Sequence, residues 1–313
     1  MKELHAVTGA FGFTGKYITK ALLDKGYDVC TLTNSPGRPN PFNNKIATRP
    51  LDFNDYNELV KSLKGVSVLY NTYWIRFNYS KGKLLFQHAQ AAKNTVRLFE
   101  AAKEASVKHI VHISIANAAE DSPYEYYMWK AKLEKSLSEL GVSYTIIRPA
   151  VIFGKEDILV NNLAWSLRKM PVFAVFGNGK YKMQPVFVED LAKLAVESGQ
   201  STESKIIDAA GPELYTYLEL IIMLCGVLHK KRIIIKLPSP LVYYASKIID
   251  LFTGDILLTK DEMNMVRDNL MYSKNPPLCK TKLSEWCTQN LSTLGIHYAS
   301  EIARRKNRNK SYI

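Results

Sequence analysis

The stretch Thr8-Gly-Ala-Phe-Gly-Phe-Thr-Gly15 decides the fold of this chain. Apolar residues 4–7 precede it, and the residues after it, 16–25, place their apolar side chains at helical spacing. In such a strand, turn and helix, Gly9 allows the turn, Gly12 lets a pyrophosphate approach the backbone, and Gly15 lets the helix pack closely on the strand. The helix N-terminus then meets the phosphates. The stretch therefore predicts a dinucleotide site, and the alternative is a tight strand-to-helix turn without a ligand.

Strand-like and helix-like stretches alternate through the first half of the chain. Strands are predicted at residues 28–33, 66–71, 109–115 and 142–148, with helical periodicity between them, as at 57–63 and 86–105. Alternating units of this kind predict an α/β fold with a parallel sheet and helices on both faces. Because ligands bind beyond the carboxyl ends of such strands, the candidate site segments are residues 9–15, 33–38, 71–76, 114–117 and 149–154.

The alternation ends near residue 150, which predicts a division of the chain. Residues 1–150 form the nucleotide-binding domain, to which 184–200 return. Residues 151–183 and 201–313 form a smaller substrate lobe with a basic tail. Within this lobe, Thr216 and Glu219 have the spacing of a capping box and predict a helix that runs to Leu228.

Charge and cysteine content narrow the class of protein. The net charge is +13, and five of the last ten residues are Lys or Arg. No nucleic-acid-binding motif accompanies this charge, so it favours anionic ligands or an anionic membrane surface over specific nucleic-acid binding. We expect a small-molecule substrate, anionic or apolar, and a monomer or homodimer. The four cysteines lack metal-ligand spacing and predict free thiols and no metal site. Because the first strand begins by residue 4, no signal segment is predicted, and we expect a cytosolic location.

Three polar residues could carry out acid–base chemistry. Tyr126 and Lys130 lie one helical turn apart on the same face. The ammonium group lowers the pKa of the phenol, which can then exchange a hydroxyl proton with a substrate. Ser114, at a strand end twelve residues before Tyr126, could hold the same substrate oxygen.

Together with Arg148-Pro149 after the next strand, these residues resemble the short-chain dehydrogenase/reductase superfamily over roughly the first 200 residues. The Gly-x-x-Gly-x-x-Gly spacing, the Tyr-x-x-x-Lys-Ala-x-x-Glu run and residues 185–192 are similar to its extended and atypical branches. The closest resemblance is to the group that contains the nucleotide-binding accessory subunit of respiratory complex I and its NmrA-like relatives. Some of these relatives lack the tyrosine, whereas this chain retains Tyr126 and Lys130, which favours an enzyme.

The resemblance implies a doubly wound parallel sheet, the Rossmann fold, and a set of cofactor-binding residues. Tyr126 and Lys130 would hold the nicotinamide ribose, and Asp52 and Phe53 would lie on the adenine side. The Asp52 carboxylate could equally cap the following helix. The remaining cofactor candidates are Gly9, Phe11, Gly12, Phe13, Thr14 and Gly15 for the phosphates, Asn71 at a strand end, and Pro149, Val151 and Ile152 beside the nicotinamide.

The end of the second strand bears on the choice between NADP and NAD. An NAD site usually carries an acid there, whereas this chain has Thr33, Asn34 and Ser35. Arg38 follows closely and could pair with a 2′-phosphate. NADP is therefore the expected cofactor and NAD the alternative. A solvent-facing loop charge is the other interpretation of Arg38.

Several further residues could contact a substrate. These candidates are Tyr73, Trp74, Arg76, Asn161 and Asn162. Aromatic packing between the two lobes, with Arg76 in a structural ion pair, is the competing interpretation. His112, inside a predicted strand, is expected to be a core residue.

We therefore expect an NADP-preferring oxidoreductase or epimerase, with Tyr126 as the acid and base, Lys130 tuning it, and Ser114 orienting the substrate. The alternative is a nucleotide-binding scaffold without turnover, associated with a respiratory or membrane complex. Residues 241–252 are apolar at helical spacing and could rest on a membrane. Core packing against the first lobe is favoured, because Lys247 is their one basic residue.

Overall fold

The computed structural model describes residues 3–81 and 84–310. The first half contains β1 (Leu4–Thr8), α1 (Phe13–Asp24), β2 (Asp28–Thr33), β3 (Ala47–Pro50), α2 (Tyr56–Leu63), β4 (Val66–Asn71), β5 (Tyr79–Lys81), β6 (Leu84–Phe86), α3 (His88–Glu104), β7 (His109–Ile113), α4 (Glu125–Ser138) and β8 (Ser143–Pro149). The second half contains β9 (Val151–Phe153), α5 (Leu159–Lys169), β10 (Val172–Phe176), β11 (Lys182–Met183), β12 (Pro185–Phe187), α6 (Val188–Ser198), β13 (Lys205–Ala209), β14 (Tyr215–Thr216), α7 (Tyr217–Val227), β15 (Ile233–Leu237), α8 (Ser239–Thr253), α9 (Lys260–Arg267), α10 (Leu283–Gln289) and α11 (Glu301–Lys306).

A seven-stranded sheet organises the first half of the chain. Its order is β13-β8-β7-β4-β1-β2-β3, and the pairs from β8 to β3 are parallel. The order runs outward from β1 in both directions, so the carboxyl ends of β1 and β4 flank the switch point where ligands bind in such sheets. The predicted doubly wound parallel sheet is confirmed.

Apolar burial explains the layers of helices. One cluster of buried side chains joins the sheet to α2, α3 and α4, and it includes Leu59, Phe99 and Leu133. On α1, Ile18 and Leu22 are fully buried outside that cluster. Helical periodicity in the sequence therefore marks the faces that turn towards the sheet.

The chain forms two units. One comprises residues 3–149, 191–208 and 308–310, and the other comprises residues 150–190 and 209–307. The second unit has its own apolar core, built around Phe153, Leu220 and Trp286. Its helix α7 begins with the capping box predicted from Thr216 and Glu219.

Helix α8 of the second unit has two different faces. Val242 and Ser246 are buried, and Val242 belongs to the apolar core of the second unit, whereas the prediction was packing against the first lobe. The opposite face is exposed and apolar, with Leu251 84% and Phe252 87% exposed. Core packing therefore accounts for only one side of this helix. Within residues 3–81 and 84–310, no helix is both long enough and apolar enough to cross a membrane.

Candidate functional site

The glycine turn after β1 has the geometry of a phosphate cradle. Gly9 has a φ of +67°, and its N–H donates to the Leu32 carbonyl at 3.0 Å. Gly12 is the N-cap of α1. A Cβ on Gly15 would lie 2.4 Å from the Gly9 carbonyl oxygen, and one on Gly12 would lie 3.2 Å from it. Position 15 therefore has no room for a Cβ and position 12 has little. The first N–H groups of α1 lack partners within the helix, which fits a pyrophosphate.

A buried polar network holds the strand ends around this turn. The Thr72 N–H donates to the Thr8 hydroxyl at 2.8 Å, and the Thr8 hydroxyl donates to Asn71 Oδ1 at 3.1 Å. Asn71 Nδ2 lies 3.1 Å from His112 Nδ1. Burial, and then the charge of Lys130, hold the pKa of His112 well below its usual value, so the imidazole is neutral. Asn71, predicted to contact the cofactor, thus ties β1, β4 and β7 together.

The loop after β2 carries the residues predicted to select the cofactor. Asn34 and Arg38 lie in this loop, where the Arg38 N–H donates to the Ser35 carbonyl at 3.1 Å. Residues 33–38 contain no carboxylate. The loop therefore carries an arginine and no carboxylate, which is the basis on which NADP is predicted in preference to NAD.

The predicted adenine-side residues have local partners. Asp52 Oδ1 accepts the Asn54 N–H at 2.9 Å, whereas α2 is capped by Asp55. The alternative prediction that Asp52 caps this helix is therefore wrong, because the carboxylate three residues later is the one at the N-cap. Phe53 packs against Tyr73, with ring centroids 5.0 Å apart.

Lys130 is enclosed by the protein. It is 2% exposed, its Nζ donates to the Ile113 carbonyl at 2.7 Å, and it lies 4.5 Å from the centroid of the Trp74 ring. Burial lowers the Lys130 pKa to about 7, although the Glu134 carboxylate acts in the opposite direction. Tyr126 meets the same indole edge-on at 5.8 Å. The structure therefore brings Tyr126 and Lys130 together, with Trp74 against both.

Ser114 has a different partner from the one predicted. Its hydroxyl donates to Glu134 Oε1 at 2.5 Å, and Glu134, 5% exposed, also pairs with the Arg148 guanidinium, whose Nε donates to Oε1 at 3.0 Å. Glu134 lies eight residues beyond Tyr126, about 12 Å along the helix axis. This arrangement uses the Ser114 hydroxyl in a buried ion-pair cluster and gives no support to a role in orienting substrate.

The aromatic residues after β4 pack within the first unit. Tyr73 and Trp74 lie against the apolar cluster beneath α3 and α4. The Tyr73 hydroxyl accepts from Asn94 Nδ2 at 3.0 Å. The Arg76 guanidinium lies 5.3 Å from the centroid of the Phe77 ring. These contacts favour the packing interpretation, with Arg76 on an aromatic ring.

The other residues predicted to bind the cofactor lie in the glycine turn, in α1, at the end of β8 and in β9. Phe11 is buried, and Phe13 packs edge-on against Tyr17 at 5.9 Å, one residue before Thr14 in the first turn of α1. The Pro149 carbonyl accepts the Ala116 N–H at 2.9 Å. Val151 and Ile152, which were predicted to lie beside the nicotinamide, belong to β9 of the second unit.

Asn161 and Asn162 are engaged inside the second unit. Asn161 Nδ2 donates to Asp157 Oδ2 at 2.8 Å. Asn162 Nδ2 donates to the Ala299 carbonyl at 3.0 Å, and its Oδ1 accepts the Ala299 N–H at 2.8 Å. Both amides therefore hold loops of this unit, which favours a structural role over substrate contact.

The sequence analysis assigned no role to the buried carboxylates of Glu134 and Asp157. Glu134 could have been found as the third member of the Tyr126 and Lys130 helix face, at a further four-residue step. Asp157 gave no such signal, and burial raises its pKa to about 7. Among residues 3–81 and 84–310, no three His, Cys, Asp or Glu side chains form a group that could hold a metal.

Comparisons with known proteins agree with this geometry. A family model described as NAD(P)H-binding matches residues 9–161. The mitochondrial NADH dehydrogenase (ubiquinone) 1 alpha subcomplex subunit 9 of Dictyostelium discoideum is 24% identical over 275 residues, which cover 82% of this chain and 74% of that protein. The Mus musculus protein of the same name is 27% identical over 280 residues, covering 83% and 70%. Citrobacter sp. triphenylmethane reductase complexed with NADP(H) shares the fold, with a TM-score of 0.71 at 20% identity. The match covers 91% of this chain and 99% of the reductase chain.

The relatives also correct one prediction. The cytosolic location expected from the sequence is wrong, because the relatives from Dictyostelium discoideum, Arabidopsis thaliana and Mus musculus are all named as mitochondrial. The error arose because the location was inferred from the residues that precede the first strand, which carry little information about it.

Proposed function

We propose that this chain, whose residues 9–161 match an NAD(P)H-binding family model, holds NADP(H) as a structural cofactor in a mitochondrial respiratory assembly. The family resemblance and the cofactor class predicted from the sequence are confirmed. The glycine turn would hold the pyrophosphate, and the loop after β2 would hold the adenosine end.

The enclosure of Lys130 carries this proposal. A catalytic lysine of this type must present its ammonium to the cofactor ribose, whereas here the ammonium donates to the Ile113 carbonyl and faces the Trp74 ring. The Ser114 hydroxyl is bound to Glu134. Because the Lys130 side chain is only 2% exposed and the Ser114 hydroxyl is bound inside the protein, binding without turnover is the function that this arrangement supports best.

The exposed face of α8 supports a protein partner. Leu241, Tyr244, Ile248, Leu251 and Phe252 recur at helical spacing, and each is more than half exposed. Contiguous apolar patches of this kind mark interaction surfaces. The helix carries only Lys247 and Asp250 as charged residues, and these bind each other at 2.7 Å. An interfacial membrane helix would have a basic polar face, so a protein surface is the better match.

We expect native gel electrophoresis of mitochondria from the source organism to show the chain in the same band that oxidises NADH in the gel. Leu251→Glu with Phe252→Glu should release it from that band, because two carboxylates would be buried in the contact. Leu85→Glu is the matched control, since Leu85 is 61% exposed outside α8.

The double variant must still bind NADPH, which shows that it folds. Retention of the double variant in the band would contradict the role of α8. A wild-type chain outside mitochondria, or absent from the band, would contradict the proposed assembly.

The second candidate function is an oxidoreductase or epimerase. The packing of Tyr126 and Lys130 against Trp74, one turn apart on α4, favours it. In this candidate the nicotinamide exchanges a hydride, and Tyr126 moves the proton of a substrate hydroxyl. Displacement of Trp74 would be required to open the pair to a substrate.

Tyr126→Phe separates the two candidates. A structural cofactor predicts no oxidation of NADPH by quinones, nucleotide sugars or small carbonyl compounds, and unchanged NADPH affinity and thermal stabilisation in the variant. Turnover measured by nicotinamide absorbance, and lowered about 10²–10⁴-fold by loss of the hydroxyl, would establish the enzyme instead. Tyr124→Phe on the same segment is the matched control.

A further inference from the structure

The basic tail returns to the loop after β2. Arg308 belongs to the first unit, although residues 209–307 before it belong to the second. Its Nη1 donates to Asn34 Oδ1 at 3.4 Å. The next residue, Asn309, packs on the same loop, because a Cβ on Gly37 would lie 2.9 Å from Asn309 Oδ1. No local sequence pattern predicts this contact, because Arg308 and Asn34 lie 274 positions apart.

The contact lies at the adenosine end of the nucleotide site. The Gly9 N–H donates to the Leu32 carbonyl at 3.0 Å, which fixes the glycine turn beside the end of β2, two residues before Asn34. In this fold the group at the end of the second strand faces the ribose 2′ position, where an acid selects NAD and an arginine accommodates the phosphate of NADP. Here the tail brings a guanidinium to that position.

We propose that Arg308, together with Arg38, binds the 2′-phosphate of NADP(H), so that the C-terminal tail takes part in choosing the cofactor. The proposal rests on the NAD(P)H-binding function above. A guanidinium carries five N–H donors and can bind Asn34 and a phosphate at once. Paired with a doubly charged phosphate, it forms charge-assisted hydrogen bonds that NAD(H) has no group to accept.

Arg308→Gln tests this assignment. We expect the NADPH dissociation constant, measured by nicotinamide fluorescence on the full-length chain, to rise roughly 10-fold, while that of NADH stays unchanged. Arg305→Gln is the matched control, because it removes the same charge from the same tail, and the Arg305 Nε already donates to Glu301 at 2.6 Å. It should leave both dissociation constants unchanged.

A second readout does not depend on the variant. Trypsin cleaves after Lys and Arg, and we expect NADPH to slow cleavage after Arg308 in the wild-type chain, whereas NADH at equal saturation does not. Equal weakening of NADPH and NADH binding by Arg308→Gln, or no change in either, would overturn the proposal and leave the nucleotide site intact. Failure of the wild-type chain to bind either dinucleotide would overturn the proposed function as well.

Discussion

Gly12→Leu is expected to abolish NADP(H) binding while leaving the fold in place. Gly12 is the N-cap of α1, and a Cβ there would lie 3.2 Å from the Gly9 carbonyl oxygen. A leucine would cover the first N–H groups of α1, so that at least two charge-assisted hydrogen bonds to phosphate are lost. Their loss costs about 3 kcal/mol or more, or roughly 100-fold in Kd. Titration by nicotinamide fluorescence measures the change.

Gly226→Leu is the matched control for this substitution. Gly226 lies in α7, and a Cβ there meets nothing within 4 Å, so the same change should not alter binding. Gly12→Ala, the smaller change, guards against a failure of Gly12→Leu to fold and should bind NADPH less tightly than wild type. Wild-type affinity in a folded Gly12→Leu protein would remove the glycine turn from the nucleotide site.

Arg148→Met is expected to destabilise the first unit by about 3–5 kcal/mol. The Arg148 guanidinium is the cation paired with the buried Glu134 carboxylate, and the pairing raises the Arg148 pKa. Its removal leaves a charge that is 5% exposed, with the Ser114 hydroxyl as the remaining hydrogen-bond donor that we identify. Urea denaturation of the variant measures the free energy of unfolding.

A double-mutant cycle separates this cause from lost packing. Glu134→Leu with Arg148→Met removes both charges, and the double variant should recover most of the stability lost by Arg148→Met alone. If Arg148→Met costs under about 1 kcal/mol, solvent screens the pair despite its burial, and the cluster contributes little to stability.

The same cluster affects the choice between the two candidate functions. Tyr126, Lys130 and Glu134 form one face of α4. Lys130 donates to the Ile113 carbonyl, and Glu134 accepts from Ser114 and pairs with Arg148. On such a helix the lysine of the acid–base motif can serve to hold the fold, as Lys130 does through its hydrogen bond to the Ile113 carbonyl, without taking part in catalysis. Retention of Tyr126 and Lys130 therefore does not by itself establish an enzyme.

The glycine turn, the parallel sheet and the helices could be predicted from the sequence because their signals are local. Residues 8–15 specify a turn in which a Cβ on Gly15 would clash with the Gly9 carbonyl, and the strands predicted at 28–33 and 66–71 coincide with β2 and β4. The capping box at Thr216 depends on two residues three positions apart. Backbone conformation and apolar periodicity over a few residues are sufficient for such predictions.

The sequence alone thus determined the fold class, the glycine turn and the pairing of Tyr126 with Lys130 on one helix face. Only the tertiary structure decided what those groups contact. Trp74 covers Lys130 from a loop 56 positions earlier, Glu134 takes the hydroxyl of Ser114, and Arg308 reaches Asn34 across 274 positions. The physical reason is that a side chain's partners depend on which distant segments the packed sheet brings together, and no short-range periodicity encodes that distance.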